Sequence, residues 1–145
     1  MAEIHFSAVY DAVTLKLREL MPNAHIYDSK IDQNLQSGDF HIVPVAVSDR
    51  KELASRRRQS VTVDIIYYTQ WGDSVGDCLR AASKLAEPLK LIETVGGDRL
   101  HGECIESNID EEDCTLHIIM KYSYFAKRDS SEGVMSQIES EVNYG

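Results

Sequence analysis

The sequence predicts an α+β domain: a mostly antiparallel sheet of four to five strands, covered on one face by two helices, in the order α-β-β-β-α-β-β. Three observations lead there. The segments 6–21 and 75–92 carry apolar residues at helical spacing. The segments 60–69 and 114–125 alternate along the chain and are dense in β-branched and aromatic residues. Strand segments follow one another through turns, which favours antiparallel pairing and leaves a sheet face for the helices to cover.

The first helix is read from "FSAVYDAVTLKLRELM", where Val9, Val13, Leu17 and Leu20 form one stripe. Ser7 is placed to cap it, and Pro22 stops it. "HIYDSKI" (25–31) reads as a short strand and "DQNLQSGD" (32–39) as a polar turn. "FHIVPVAV" (40–47) is a strand in which Pro44, lacking an N–H, predicts an edge or a bulge. In 60–69, Val61, Val63, Ile65 and Tyr67 share one face, and Thr62, Asp64, Ile66 and Tyr68 the other. "QWGDS" (70–74) is turn chemistry, with Asp73 or Ser74 as cap and Trp71 covering the helix entry. The second helix, 75–92, lines up Val75, Leu79, Ala82, Ala86 and Leu89, and Pro88 ends or kinks its last turn. After a Gly-Gly turn come a strand at 100–105, a hairpin around "NIDEE", and the strand "CTLHIIMKYSYF" with Leu116, Ile118, Met120, Tyr122 and Tyr124 on one face. The domain is expected to span 1–126. Residues 127–145 form a polar tail, frayed or ordered on assembly, with Val134, Ile138 and Val142 at i, i+4, i+8.

With 145 residues, 43% hydrophobic and 27% charged, the chain has the composition of one ordinary globular domain. A net charge of −9 excludes a general binder of nucleic acid or anionic membrane. Three cysteines at no framework spacing, behind an N-terminus without signal-peptide character, fit synthesis in a reducing cytosol. No apolar run approaches the roughly 20 residues of a membrane span.

"HGECIESNIDEEDCTLH" (101–117) holds four potential zinc ligands, His101, Cys104, Cys114 and His117. Residues three apart on a strand point to opposite faces, so each His–Cys pair diverges, whereas zinc needs its ligands within about 2.0–2.3 Å of one point. The expectation is a hairpin, with Cys114 and its neighbours in the core and the histidines near the sheet surface. No nucleophile elbow, phosphate loop or cofactor motif is present. The carboxylates of Glu111, Glu112 and Asp113 sit in a turn too exposed for acid–base chemistry.

Charge is distributed unevenly. The segment 49–59 is basic, with Arg50, Arg56, Arg57 and Arg58; the segment 103–113 is acidic, with Glu106, Asp110, Glu111, Glu112 and Asp113 among its acids. Opposite patches on one chain suit contacts between copies. These nine residues are the candidate interface with a neighbouring subunit or another protein.

In the order and spacing of these elements the chain resembles the phage tail terminator family of Gram-positive prophages and phage tail-like particles. The residues that carry the resemblance are Ile26 and Tyr27 after the first helix, then Gln33, Phe40 and Ile42. Arg56 and Arg58 precede an Asp-Ile-x-Tyr strand, here Asp64, Ile65, Tyr67 and Tyr68, and "LHIIMKYSYF" closes the domain. The likeness covers about residues 6–126. Asn34, Gly38 and Arg57 depart from the pattern, which has glycine and proline in the turn and an aromatic residue before the strand. The resemblance implies a virion structural protein with no catalysis and no cofactor or metal. It implies a ring, typically a hexamer, that caps the tail tube at its head-proximal end, stops polymerisation, and meets the head connector or the end of a contractile sheath as a collar. Such a protein is made in the bacterial host cytoplasm and incorporated in the virion or tail-like particle. The residues leave two alternatives: a head–tail joining or neck protein, and a small cytosolic metal-binding domain or enzyme using the four His and Cys residues.

Overall fold

The computed structural model describes residues 4–27, 38–52, 56–69 and 74–126. The first helix, α1 (Phe6–Leu20), buries Val9, Ala12, Val13 and Leu17, the stripe set by its spacing. It begins two residues earlier than a Ser7 cap implies. His5 holds an extended backbone at φ −89° and ψ 153°, and its carbonyl accepts from the N–H groups of Ala8 and Val9, so His5 occupies the cap without a side-chain bond.

Six strands form one mixed sheet: β1 (Ile26–Tyr27), β2 (Phe40–Lys51), β3 (Arg57–Tyr68), β4 (Leu91–Glu93), β5 (Arg99–Asp110) and β6 (Thr115–Ala126). Their spatial order is β1-β2-β3-β6-β5-β4, with β1–β2 parallel and every other pair antiparallel. The expected four to five strands thus become six. The expected strand at 25–31 is present as β1, and the added one is β4, too short for any periodicity to show. The β4 strand is cut from the end of the expected second helix. Pro88 has no N–H to give a helix, so the chain makes a 3-10 turn at Pro88–Lys90 and leaves it extended, with Ile92 buried.

The second helix, α2 (Ser74–Leu85), also shows a different face. Cys78, Ala81 and Leu85 are buried, while Val75 and Leu79 are 39% and 55% exposed. Tyr67 Oη donates to Asp77 Oδ2 at 3.0 Å from the sheet below, which turns the Asp77–Cys78 side of the helix inward. Burial and then the Asp77 hydrogen bond push the Tyr67 phenol up to about 12. Burial likewise raises the Cys78 thiol. Asp73 and Trp71 lie outside the described residues, as do 28–37 and 127–145.

One core joins both helices to one face of the sheet, through Phe40, Ile42, Val63, Ile65, Ile118 and Met120 among others. At its β5 side Tyr122 is fully buried and its Oη donates to Leu89 O at 2.7 Å. Gly102 stands opposite Tyr122 in the β5–β6 register, and a Cβ there would come within 2.7 Å of Tyr122 Cδ1. A glycine is what lets the ring lie flat across β5. The bulge implied by Pro44 is present, between Pro44 and Ala46 on β2, and β5 has a similar register shift between Cys104 and Glu106. Among the described residues, β1 covers β2 only at Phe40 and His41, and β4 covers β5 only at 99–101.

Candidate assembly surface

The helix-free face of the sheet is polar. Strand alternation puts Asp64, Ile66 and Tyr68 of β3 on it, as expected, beside Thr115, His117 and Ile119 of β6. His117 Nδ1 and Asp64 Oδ2 lie 2.9 Å apart, and Thr115 Oγ1 lies 3.3 Å from His117 Nε2. Asp64 Oδ1 and both ring nitrogens of His41 are buried without a hydrogen-bond partner among the described residues. The sequence does not reveal this network, because its members lie on three strands far apart in the chain.

At the β2–β3 end of this face Arg50 pairs with Arg58, and Arg58 with Phe125 of β6. The guanidinium carbons of Arg56 and Arg58 stand 4.1 and 4.8 Å from the Phe125 ring centroid, and Arg58 Nε lies 3.4 Å from Glu52 Oε2. Phe125, 40% exposed, is a platform that spreads two cations over the surface. Arg57 parts from the group. Its side chain turns to the opposite face and forms a bidentate pair with Asp49, whose carboxyl it holds below the usual carboxylate range. Adjacent residues of a strand must diverge, so the four arginines supply three to one face and one to the other.

The acids collect at the far corner. Glu106 and Asp110 of β5 face the same way as Ile119 and Thr115, on the helix-free side. Asn108 Nδ2 donates to Glu106 Oε2 at 2.6 Å, and Asp110 Oδ1 accepts from the N–H groups of Glu112 and Asp113 at 3.0 and 3.3 Å. Glu111, Glu112 and Asp113 are exposed in the turn that follows. The basic patch lies where β3 begins and the acidic patch where it ends. About ten residues of strand at about 3.4 Å each put Asp110 and the turn roughly 35 Å from Arg58, while Glu106, level with Asp64, lies about 20 Å along the strand from it. Across a Debye length of about 8 Å neither patch can neutralise the other within one chain.

The four sulfur and imidazole groups do not converge. His101 and His117 are on the helix-free face, Cys104 points to the helix side, and Cys114 sits in the turn at φ 57°, half-exposed rather than in the core. Among the described residues no group of three His, Cys, Asp or Glu side chains could hold a metal ion. The surface along α1 offers two shallow open grooves, beside Leu15, Glu19 and Arg99 and beside Tyr10, Arg18 and Val95. Neither brings together a nucleophile and a base.

The charged patches lie on the helix-free face and the turn beside it, away from the core under the helices. The chain belongs to the phage tail terminator protein family, whose model matches residues 8–134. Its fold is similar to that of a chain in the solved virion of a native gene transfer agent particle. The TM-score is 0.51 at 15% identity, covering 83% of this chain and 95% of that one. No curated protein sequence matches this chain.

Proposed function

We propose that this protein terminates a tail tube: it closes with copies of itself into a ring, typically a hexamer, on the last ring of a polymerised tube. The ring blocks further addition, and its outer side receives the head connector or, in a contractile tail, the sheath end. Family membership supports the tail-structural role. The observation that carries ring formation is the placement of basic Arg50, Arg56 and Arg58 at one edge of the helix-free face and acidic Glu106 and Asp110 at the other edge. Complementary patches that cannot meet within a chain make a heterologous contact, and a heterologous contact with the right rotation closes into a ring. Tube subunits add by the same kind of contact without closing, so a ring that binds the last of them and offers no further acceptor ends growth.

The test is tube polymerisation in the presence of the purified protein, with tube length read by electron microscopy and ring formation by native mass measurement. Wild-type protein shortens tubes and forms rings that weaken as salt rises. Arg50 makes no ion pair among the described residues, and Arg50→Glu lowers ring yield at least tenfold. Combining it with Glu106→Arg restores rings. Tubes of unchanged length with a saturating excess of protein would end the terminator reading.

A further inference from the structure

Two stretches of sheet edge carry no strand among the described residues: 43–51 of β2 and 103–110 of β5. Edge strands are usually blunted, and here the blunting is local. Pro44 and its bulge sit at the inner end of one stretch, and the Cys104/Glu106 shift at the inner end of the other. Beyond them 46–51 and 106–110 run in regular register and are exposed except for half-buried Asp110.

The phase of the hydrogen bonds shows which groups look outward. Glu52 N donates to Arg56 O, so alternation back along the hairpin turns Arg50, Ser48 and Ala46 toward β3. Val47, Asp49 and Lys51 therefore present their N–H and C=O groups to the open side. On the other edge, Thr69 N donates to Cys114 O, which fixes the phase of β3 against β6 and, through it, of β6 against β5. Glu106, Asn108 and Asp110 turn inward, and Ser107 and Ile109 outward. The two edges run in opposite directions across the sheet.

We infer that 46–51 of one copy pairs antiparallel with 106–110 of the next, with Val47 opposite Ile109, Ser48 opposite Asn108 and Arg50 opposite Glu106. This deepens the ring reading and rests on it. In this register both outward-facing sets meet, helix-side residues face helix-side residues, and all helices lie on one side of a continuous sheet. Val47 and Ile109, 54% and 36% exposed, cover one another. Ser48 meets an amide, and Arg50 meets a carboxylate. Shifting by two residues either way sets Val47 against Ser107 or Glu111 and breaks every one of these pairs. β1 blocks one end of the first edge and β4 the diagonally opposite end of the second, so the strands must cross the ring wall obliquely, as strands do in a closed barrel.

The experiment is disulfide trapping in the full chain, with Ser48→Cys and Asn108→Cys combined on a Cys104→Ser background. These positions form a non-hydrogen-bonded pair about 4.5 Å apart, within reach of a disulfide. Mild oxidation should give a ladder of covalent multimers with the 48–108 link identified by peptide mapping, and neither single variant should give a ladder. A second variant needs no oxidation. Ser107→Pro removes one outward N–H and none from the chain's own ladder, so rings should be lost while the monomer's Tm moves little. Rings that form without a 48–108 link, or that survive Ser107→Pro, overturn the edge pairing and leave the ring reading standing. Wild-type protein that forms no ring, alone or on tubes, overturns both.

Discussion

On β3, Val63 and Ile65 are wholly withdrawn from solvent, while Asp64 and Ile66 between and beside them keep part of their exposure. The same alternation divides β6, where Ile118, Met120 and Tyr122 are fully buried and His117, Ile119 and Lys121 are not. One face of the sheet is thus a packed core under two helices, and the other is a polar surface tied together by Asp64 and His117. Stability is concentrated on the first face. The second carries less of it and is the face on which the proposed contacts between subunits would fall. The division teaches that changes on the two faces should register in different measurements.

The largest effect should come from the covered face. Ile65→Ala removes a fully buried side chain from a core that cannot collapse around it, at a cost of about 3–4 kcal/mol. For a chain of this size that is roughly 10 °C in Tm, read by thermal or urea unfolding. Ile66→Ala, one position along on the other face, should cost less than half as much. Equal costs would mean that the second face is as closely packed as the first.

Next in size is the contact of Tyr122 with its glycine. Gly102→Ala sets a methyl against the aromatic ring, and neither the buried ring nor the strand can yield easily, so about 1–3 kcal/mol should be lost. Tyr122→Phe keeps the packing and leaves Leu89 O buried without its donor, at about 1–2 kcal/mol. If Gly102→Ala is neutral by denaturant titration, the ring has another place to lie.

Much of the covered face was legible in the sequence, and the reasons are local. α1 has one apolar stripe and no rival to it. β3 and β6 are long enough to show alternation several times over. α2 is different: Cys78, Ala81 and Ala82 are small, so two stripes compete, and the Tyr67–Asp77 bond from the preceding strand, a side-chain contact that no apolar period shows, favours the Asp77–Cys78 side. β1 was read within 25–31 from its strand-forming residues, but β4 is too short to show any period. On the other face the clusters of charge were visible, but the separation of Arg57 from Arg56 and Arg58 follows only once the segment is known to be strand rather than loop. The unpaired edges belong to strand order, which no local pattern encodes.

On the helix-free face the Asp64–His117 contact ties β3 to β6. His117→Ala strips half-buried Asp64 of its partner on Oδ2, while Oδ1 is buried with none among the described residues, at about 1–2 kcal/mol in unfolding. His117→Gln, which can still donate to Asp64, should recover part of that. No recovery would show that the imidazole acts by packing.

The smallest effect lies at the hairpin tip, and its size is informative. Arg57, by its hydrogen bonds, holds the Asp49 carboxyl below its ordinary value of 3.8. A folded-state pKa lowered in this way contributes stability above 3.8, and the contribution is lost as pH falls through the folded value. The pair is exposed, with side chains at 53% and 33%, so screening leaves no more than about 0.5 kcal/mol. The difference in unfolding free energy between wild type and Asp49→Asn should therefore be small at pH 6, vanish toward pH 2, and shrink in high salt. A difference beyond about 1 kcal/mol would mean that the tip is enclosed and takes part in the fold. A small one means that charge changes at the tip leave the monomer intact, so a loss of rings in Arg50→Glu reports on the contact between subunits and not on damage to the sheet that carries it.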